Sequence, residues 1–522
     1  MTRWYKRRKL FSGLAAAAVA VPLAACSAGG GTAAGTGHDT ITIGIGSAPV
    51  SLDPARAANS SDGQAYTDLA YEPLIRLNSD GSLAPALATS WRYTDAKLTT
   101  FEVTLRHGVR FSDGSPLTAT DVVHYLSRAK TTNGVVTPYA AAITRAQAVG
   151  TDRVVLHLAA PNPTIAQVLT QRYYVGSIVG PIGESDPNSL GTSTDGAGPY
   201  LLDKAGTVAN DHYTYVPNPY YYDKSAVHFT KFTIRVIGNP QTALSTLKSG
   251  QVAYVGGDFS TVDEAKSSGY SVYSAVSDWY GVFLIDRSGT LVPALAKQGV
   301  RQALNYALDR RGIAKALFGS YGVPTSEISD IAYANDGYDP DYVNYYGYDP
   351  AKAKQLLEQN GYADGFGLTI AATTTYGDGV EVAQAIAGDW AKLGVRVTIK
   401  TYPSVAAMGT DVGSKKYPAF AGNLDVQPMF LESTQILDKD AGFFNPFRSE
   451  DPTLSALLAT ARAATSSSAV AAGWAAVERR VVELGWFAPV ASGPTLYYGV
   501  KGLTGIALSA ANFVPDPTQF HY

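Results

Sequence analysis

The sequence predicts an α/β fold with more than one hydrophobic core, and three observations carry that prediction. Phe101-Glu102-Val103-Thr104-Leu105-Arg106 alternates apolar and polar residues with the period of a half-buried strand, and helical text begins soon after, at Thr118. Leu368 to Ala371, Val380 to Leu393 and Val395 to Ile399 read as strand, helix, strand, a unit that implies parallel pairing. At 522 residues the chain exceeds what one core organises, so two or three domains are expected.

The first 26 residues read as an export segment. Arg3, Lys6, Arg7, Arg8 and Lys9 precede Leu10 to Ala25, an apolar run too rich in Ala and Gly to act as a permanent span. Leu23-Ala24-Ala25-Cys26 looks like a bacterial lipobox, which makes Cys26 the expected lipidation site. A free thiol in a coincidental sequence is the alternative. Arg7-Arg8-Lys9-Leu10-Phe11 also resembles a twin-arginine export motif, and general secretion stays open beside it. Ser27 to Gly37 is a Gly-rich tether, and no Lys-Ser/Thr follows its glycines to make a phosphate loop. Residues 1–26 are thus set apart as signal and lipidated Cys, and 27–39 as flexible tether. With one cysteine no internal disulfide forms. Removing five basic residues turns 41 minus 44 into 36 minus 44, a net charge near −8. No basic stripe remains, so no nucleic-acid partner is expected. The 33 Tyr against 17 Phe suit either a wet cleft or an extracellular surface.

Ile41 to Ile45 alternates and reads as the first strand, followed by the Pro49-Val50-Ser51-Leu52-Asp53-Pro54 loop. Thr118-Ala119-Thr120-Asp121 reads as a capping box, with Val122, Tyr125, Leu126 and Ala129 on one buried face. Val154 to Leu158 and Phe229 to Val236 read as strands. Gln241 to Leu247 reads as a helix burying Ala243, Leu244 and Leu247. Tyr280 to Asp286 reads as a buried strand, with Asp286 solvated at its end. Val300, Ala303, Leu304, Ala307 and Leu308 share a helical face, and Asp309 caps the next helix, which stops at Gly319. Asp349-Pro350 opens a helix that Asn360-Gly361 closes. Leu454 to Ala461 and Trp474 to Leu484 are late helices, and Phe487 to Val500 returns the chain.

Several of these stretches together resemble one family. The run PALATSW, then FEVTLRHGVRFSDGSPLTATDVV (residues 85–91 and 101–123), is similar to the signature region of the family 5 extracellular solute-binding proteins of ABC importers. That family includes dipeptide-, oligopeptide- and nickel-binding receptors. Gly196-Ala197-Gly198-Pro199-Tyr200 resembles its GTGPY turn, and Val300 to Arg310 resembles its VRQALNYAIDR helix. The resemblance implies a two-lobed periplasmic-binding-protein-like fold of type II, with the extra subdomain of the large peptide-binding class. Lobe 1 is expected from 40–70, 195–288 and 490–522, its extra subdomain from 71–194, and lobe 2 from 289–489. Two crossings near positions 285 and 490 would join the lobes. It further implies a monomeric, lipid-anchored receptor on the outer face of the cytoplasmic membrane. That receptor hands a small solute, an oligopeptide first of all, to a permease and ATPase complex, without a cofactor. A nickel chelate, an oligosaccharide or a siderophore-like ligand is the alternative within the fold. A secreted lipid-anchored hydrolase is the alternative outside it.

No catalytic or metal constellation is legible. The seven His form neither HExxH nor an i, i+4 pair, no G-x-S-x-G occurs, and His124 reads as a surface or structural residue. The binding reading is carried by resemblance. Peptide receptors of the family pair a second-lobe Asp, in text like aDYxDP, with the ligand's α-amino group. The corresponding text here is Gly422-Asn423-Leu424-Asp425-Val426-Gln427-Pro428-Met429-Phe430, which makes Asp425 the candidate amine anchor and Met429 pocket wall or core. Val426 stands where the family has Tyr, and one residue is missing before Pro428. Trp279 and Tyr280 are candidate cleft aromatics, with core packing as the competing role. Tyr376 sits on a loop after a second-lobe strand, and Ser51 on the loop after the first strand. Both are candidate contacts.

Overall fold

A computed structural model describes residues 39–57, 61–132, 134, 136–329, 336–374 and 378–522. Cys26, the export segment and Tyr376 lie outside the described residues. Among the described residues, eleven strands form one mixed sheet. Its order runs Arg396–Tyr402, Gly367–Thr373, Ala419–Asp425, Ser271–Leu284, Phe487–Gly499, Tyr254–Gly256, Thr40–Ile45, Lys231–Val236, His212–Pro217 and Tyr200–Leu202. Val323–Pro324 adds against Phe487–Gly499.

Two long strands organise this sheet. Ser271–Leu284 and Phe487–Gly499 pair antiparallel along nearly their whole lengths, from Ser271 opposite Gly499 to Phe283 opposite Phe487. At one end Tyr254–Gly256 joins residues 497–499, and at the other Ala419–Asp425 joins residues 278–284. The pair therefore carries the chain from one flank of the sheet to the other. Phe487–Gly499 is buried along almost its whole length and Ser271–Leu284 from Ser277 onward, so neither reads as clean alternation there. The register shifts between Val276 and Asp278 and again between Tyr280 and Gly281, where bulges add twist between the two flanks.

The strand–helix–strand unit is present: Gly367–Thr373 and Arg396–Tyr402 pair parallel, with Gly379–Ala391 between them. That helix buries Ala383, Ile386 and Trp390 against Val300, Leu304 and Ile370 in a core of their own. The helix Gln298–Tyr306 carries this face, Asp309 accepts the Gly312 N–H to start the next helix, and Asp349 accepts the Lys352 N–H. A four-stranded antiparallel sheet, in the order Ala88–Tyr93, Thr100–Leu105, Arg153–Leu158, Ile143–Val149, stands apart from the large one. The Ala119–Ala129 helix lies on it and buries Val122, Tyr125, Leu126 and Ala129. Asp121 accepts hydrogen bonds from both the N–H and the hydroxyl of Thr118, the expected cap.

Three expectations are corrected. The buried strand begins at Ser271, nine residues before Tyr280, because paired Tyr, Ser and Val carry no apolar run there. The last long helix is Ser467–Leu484, opened by a Ser466 cap well before Trp474. Asp286 is not solvated. It is wholly buried, past the strand end, and accepts N–H bonds from Thr290, Leu291 and Val292, which satisfies a turn that apolar text concealed.

Candidate functional site

The bulge in the long strand sets the site. Asp278 follows it directly, and the antiparallel register with Ala419–Asp425 puts Asp278 opposite Asp425. Asp278 is buried. Its carboxyl accepts the Asn423 amide at 2.6 Å and the Ser277 hydroxyl at 2.5 Å. Burial first, and then the neighbouring Asp425 charge, push its pKa well above the usual carboxylate range. The shift favours the neutral form of Asp278.

Arg172 supplies the matching cation from far away in the chain. It belongs to the short 3₁₀ turn Gln171–Tyr173, and its Nη2 donates to Asp425 Oδ2 at 2.8 Å. The Arg172 side chain is 7% exposed and that of Asp425 32%, so one partner is sunk and the other open to solvent. The guanidinium carbon stands 4.2 Å from the centre of the Phe513 ring, a cation–π contact that holds its orientation. Tyr139 packs edge-on against Tyr173 at 4.9 Å, and burial together with the Asp425 charge pushes its hydroxyl up to about 12.

Tyr139 is also one wall of a cavity of about 640 Å³. Pro138, Tyr139 and Val168 line it from one side, and Phe430, Leu431 and Phe443 from the other. Phe430 lies five positions after Asp425, and Gln435, on the same lining, accepts the Gln427 amide at 2.7 Å. A mostly apolar space with a few placed polar groups beside it is the usual form of a small-ligand site.

The other candidates fall differently. Trp279 goes to the core, not the cleft wall. It is wholly buried, donates its indole N–H to Glu432 at 3.1 Å and lies 4.7 Å from Phe283. Glu432 is itself buried, and desolvation drives its pKa well above the ordinary value. Tyr280 packs on Phe318 at 4.6 Å, on the opposite face of the same strand. Met429 is buried; its N–H donates to Asp336, whose pKa burial raises to about 6, and Phe430 takes the lining position. Ser51 is half-buried and accepts the Asp53 N–H at 3.1 Å, while Asp53 is clamped by Arg128 at 2.7 Å. Sequence reasoning missed Arg172 and Asp278. An Arg inside the buried segment Val168 to Val175, and an Asp within a buried strand, are the signals that point to them.

Comparison with known proteins agrees with this architecture. Residues 82–449, well over half of the chain, match the model of the bacterial extracellular solute-binding proteins, family 5 Middle. A glutathione-binding protein, GsiB, of Salmonella paratyphi A is 26% identical over 367 residues, covering 69% of each chain. A dipeptide-binding protein of Lactococcus lactis subsp. cremoris is 30% identical over 322 residues, covering 55% of this chain and 57% of that one. Among solved structures, the binding protein AgaA of A. tumefaciens R10 with agropinic acid superposes with a TM-score of 0.79 at 22% identity, over 92% of this chain and 98% of that one. DppA of Helicobacter pylori with the peptide STSA gives 0.76 at 19%, over 91% and 97%. The chain belongs to the bacterial extracellular solute-binding proteins of family 5, and is a receptor that binds a solute, not an enzyme that converts one.

Proposed function

We propose that this receptor serves an ABC importer and captures short peptides or glutathione-like peptides in the 640 Å³ cavity, with Asp425 as the anchor for the ligand's α-ammonium. The observation that carries the reading is an apolar, aromatic-walled space of peptide size whose lining residue Phe430 lies five positions after the solvent-reached Asp425 carboxylate. Relatives named for glutathione and dipeptides, and a structural neighbour holding a tetrapeptide, support the ligand class.

In this reading residues 40–70, 195–288 and 490–522 form one lobe, 71–194 its extra subdomain and 289–489 the other lobe. The paired strands Ser271–Leu284 and Phe487–Gly499 are the crossings about which they close. Ligand bridges Tyr139 and Phe430 and shifts the population toward the closed form that docks on the permease. The mature protein is a monomer. Diacylglyceryl on Cys26 holds it at the membrane, since each buried methylene adds about 0.8 kcal/mol. Tyr376 and Ser51 remain proposed contacts.

The test uses the soluble form lacking residues 1–26, heated with and without a peptide pool and glutathione. A saturable rise in Tm is expected, because a ligand that binds only the folded state stabilises it. A rise with a metal chelate or an oligosaccharide and none with any peptide rules out the ligand class. Release of a Cys26→Ser variant into the medium, with lipid mass present on the wild type and absent from the variant, tests the anchor.

A further inference from the structure

Asn162 is the buried polar residue on the lining of the 640 Å³ cavity, 4% exposed. It sits between the strand Arg153–Leu158 and the helical turn Ile165–Val168. Its backbone N–H donates to the Leu98 carbonyl at 3.1 Å, and its own carbonyl accepts the Tyr93 hydroxyl. Its side-chain Oδ1 accepts both the N–H and the hydroxyl of Thr164 at 2.9 Å. A backbone N–H can only donate, so these bonds fix which end of the amide is oxygen. They leave the two Nδ2 hydrogens uncommitted, on a residue that lines the cavity. A donor in such a place is satisfied by a ligand that brings an oxygen to it, and is costly to cover with anything else.

The surroundings say what kind of oxygen fits. Tyr139, Phe430, Phe443 and Phe444 supply aromatic walls. Phe443 packs on Phe420 at 4.5 Å, and Phe420 stacks on Phe283 of the long strand at 4.4 Å, so this wall is held in place by the sheet. Among the described lining residues Asp440 carries the one charge; its side chain is 62% exposed and pairs with Arg448. A charged ligand group among these walls loses its hydration with no buried opposite charge to replace it. A neutral carbonyl beside a bulky apolar group gains a hydrogen bond and buries apolar area together.

Resting on the reading of a peptide receptor, we infer that Asn162 is a ligand-contact residue whose Nδ2 donates to a backbone carbonyl of the bound peptide, and that the cavity takes the bulky apolar side chain next to that carbonyl. Asn162 sets where the peptide backbone lies, and the aromatic walls choose the side chain. The substrate class is short peptides with an aromatic or branched aliphatic residue at that position, and Lys or Glu there is rejected.

Titration calorimetry on the soluble form compares Ala-Phe-Ala and Ala-Leu-Ala with Ala-Lys-Ala and Ala-Glu-Ala, which share one backbone. The apolar pair is expected to bind at least about tenfold tighter. Asn162→Asp separates the contact from the turn, because a carboxylate accepts the same Thr164 bonds and has no hydrogen to give. The variant is expected to fold and to bind Ala-Phe-Ala at least about tenfold more weakly. A crystal structure of the wild type with the tightest-binding peptide needs no variant, and should show Nδ2 within hydrogen-bond distance of a ligand carbonyl oxygen. Equal binding of the four peptides, wild-type affinity in Asn162→Asp, or an Nδ2 that meets no ligand oxygen overturns this inference and leaves the peptide receptor standing. Binding of no peptide overturns both.

Discussion

Asp278 and Asp425 face each other as direct partners across two antiparallel strands, and burial favours the neutral form of Asp278. Like charges opposite one another in a sheet repel, and burial sharpens the cost. Burial raises the pKa of Asp278, the more buried of the two, and Arg172 lies on Asp425.

Asp278→Asn is therefore expected to be tolerated. An acid whose folded pKa is raised contributes stability that is fully present below its unfolded value, near 3.8, and lost as pH rises through the folded value. The amide keeps the shape of the neutral carboxyl without that loss. Urea melts at pH 5 and pH 8 should place the variant within about 1 kcal/mol of wild type at the lower pH and level with or above it at the higher. Destabilisation beyond about 2 kcal/mol at both would mean that Asp278 is ionised and paired.

Arg172 and Asp425 should behave as a unit. Each truncation to Ala removes their contact, which costs about 2 kcal/mol for a partly open pair, and the double variant should cost less than the sum. A double-mutant cycle on unfolding free energy measures this. Strict additivity would show that the contact contributes nothing.

Glu327 and Glu478 form a second acidic pair, wholly buried, and burial followed by their mutual repulsion raises the pKa of Glu327 far above 4.5. Its stabilising contribution, present in the protonated fold below about pH 4.5, declines as pH rises toward the folded value. Glu327→Gln should flatten this decline, so that Tm between pH 5 and 9 varies less than in wild type. An unchanged slope would remove Glu327 from the account.

Gly196 and Gly198 are constrained by space. A Cβ at Gly196 would stand 2.2 Å from the Ala70 carbonyl oxygen, and at Gly198 2.4 Å from the Ala70 carbonyl carbon, where the backbones are joined by a 2.9 Å hydrogen bond. Either substitution by Ala should cost about 3 kcal/mol, whereas Gly191→Ala, with nothing within 4 Å, should be near neutral. Chemical denaturation of the three variants checks the contrast.

Much of the fold was legible because it rests on local rules. The face of Val122, Tyr125, Leu126 and Ala129, the Asp309 and Asp349 caps and the parallel strand–helix–strand unit all follow from periodicity and end chemistry within a dozen or so residues. The start of Ser271–Leu284 was not legible, because its first half is ordered by Phe487–Gly499, more than two hundred residues away.

The candidate site divides in the same way. By itself the sequence determined the fold class and the family resemblance, and it put Asp425 forward as a candidate, since each is written in contiguous text. Only the tertiary structure decided that Trp279 belongs to the core, that Asp278 stands opposite Asp425, and that Arg172, 253 positions earlier, neutralises it. Burial and charge pairing depend on which segments meet in space, and strand register, not sequence spacing, sets those meetings.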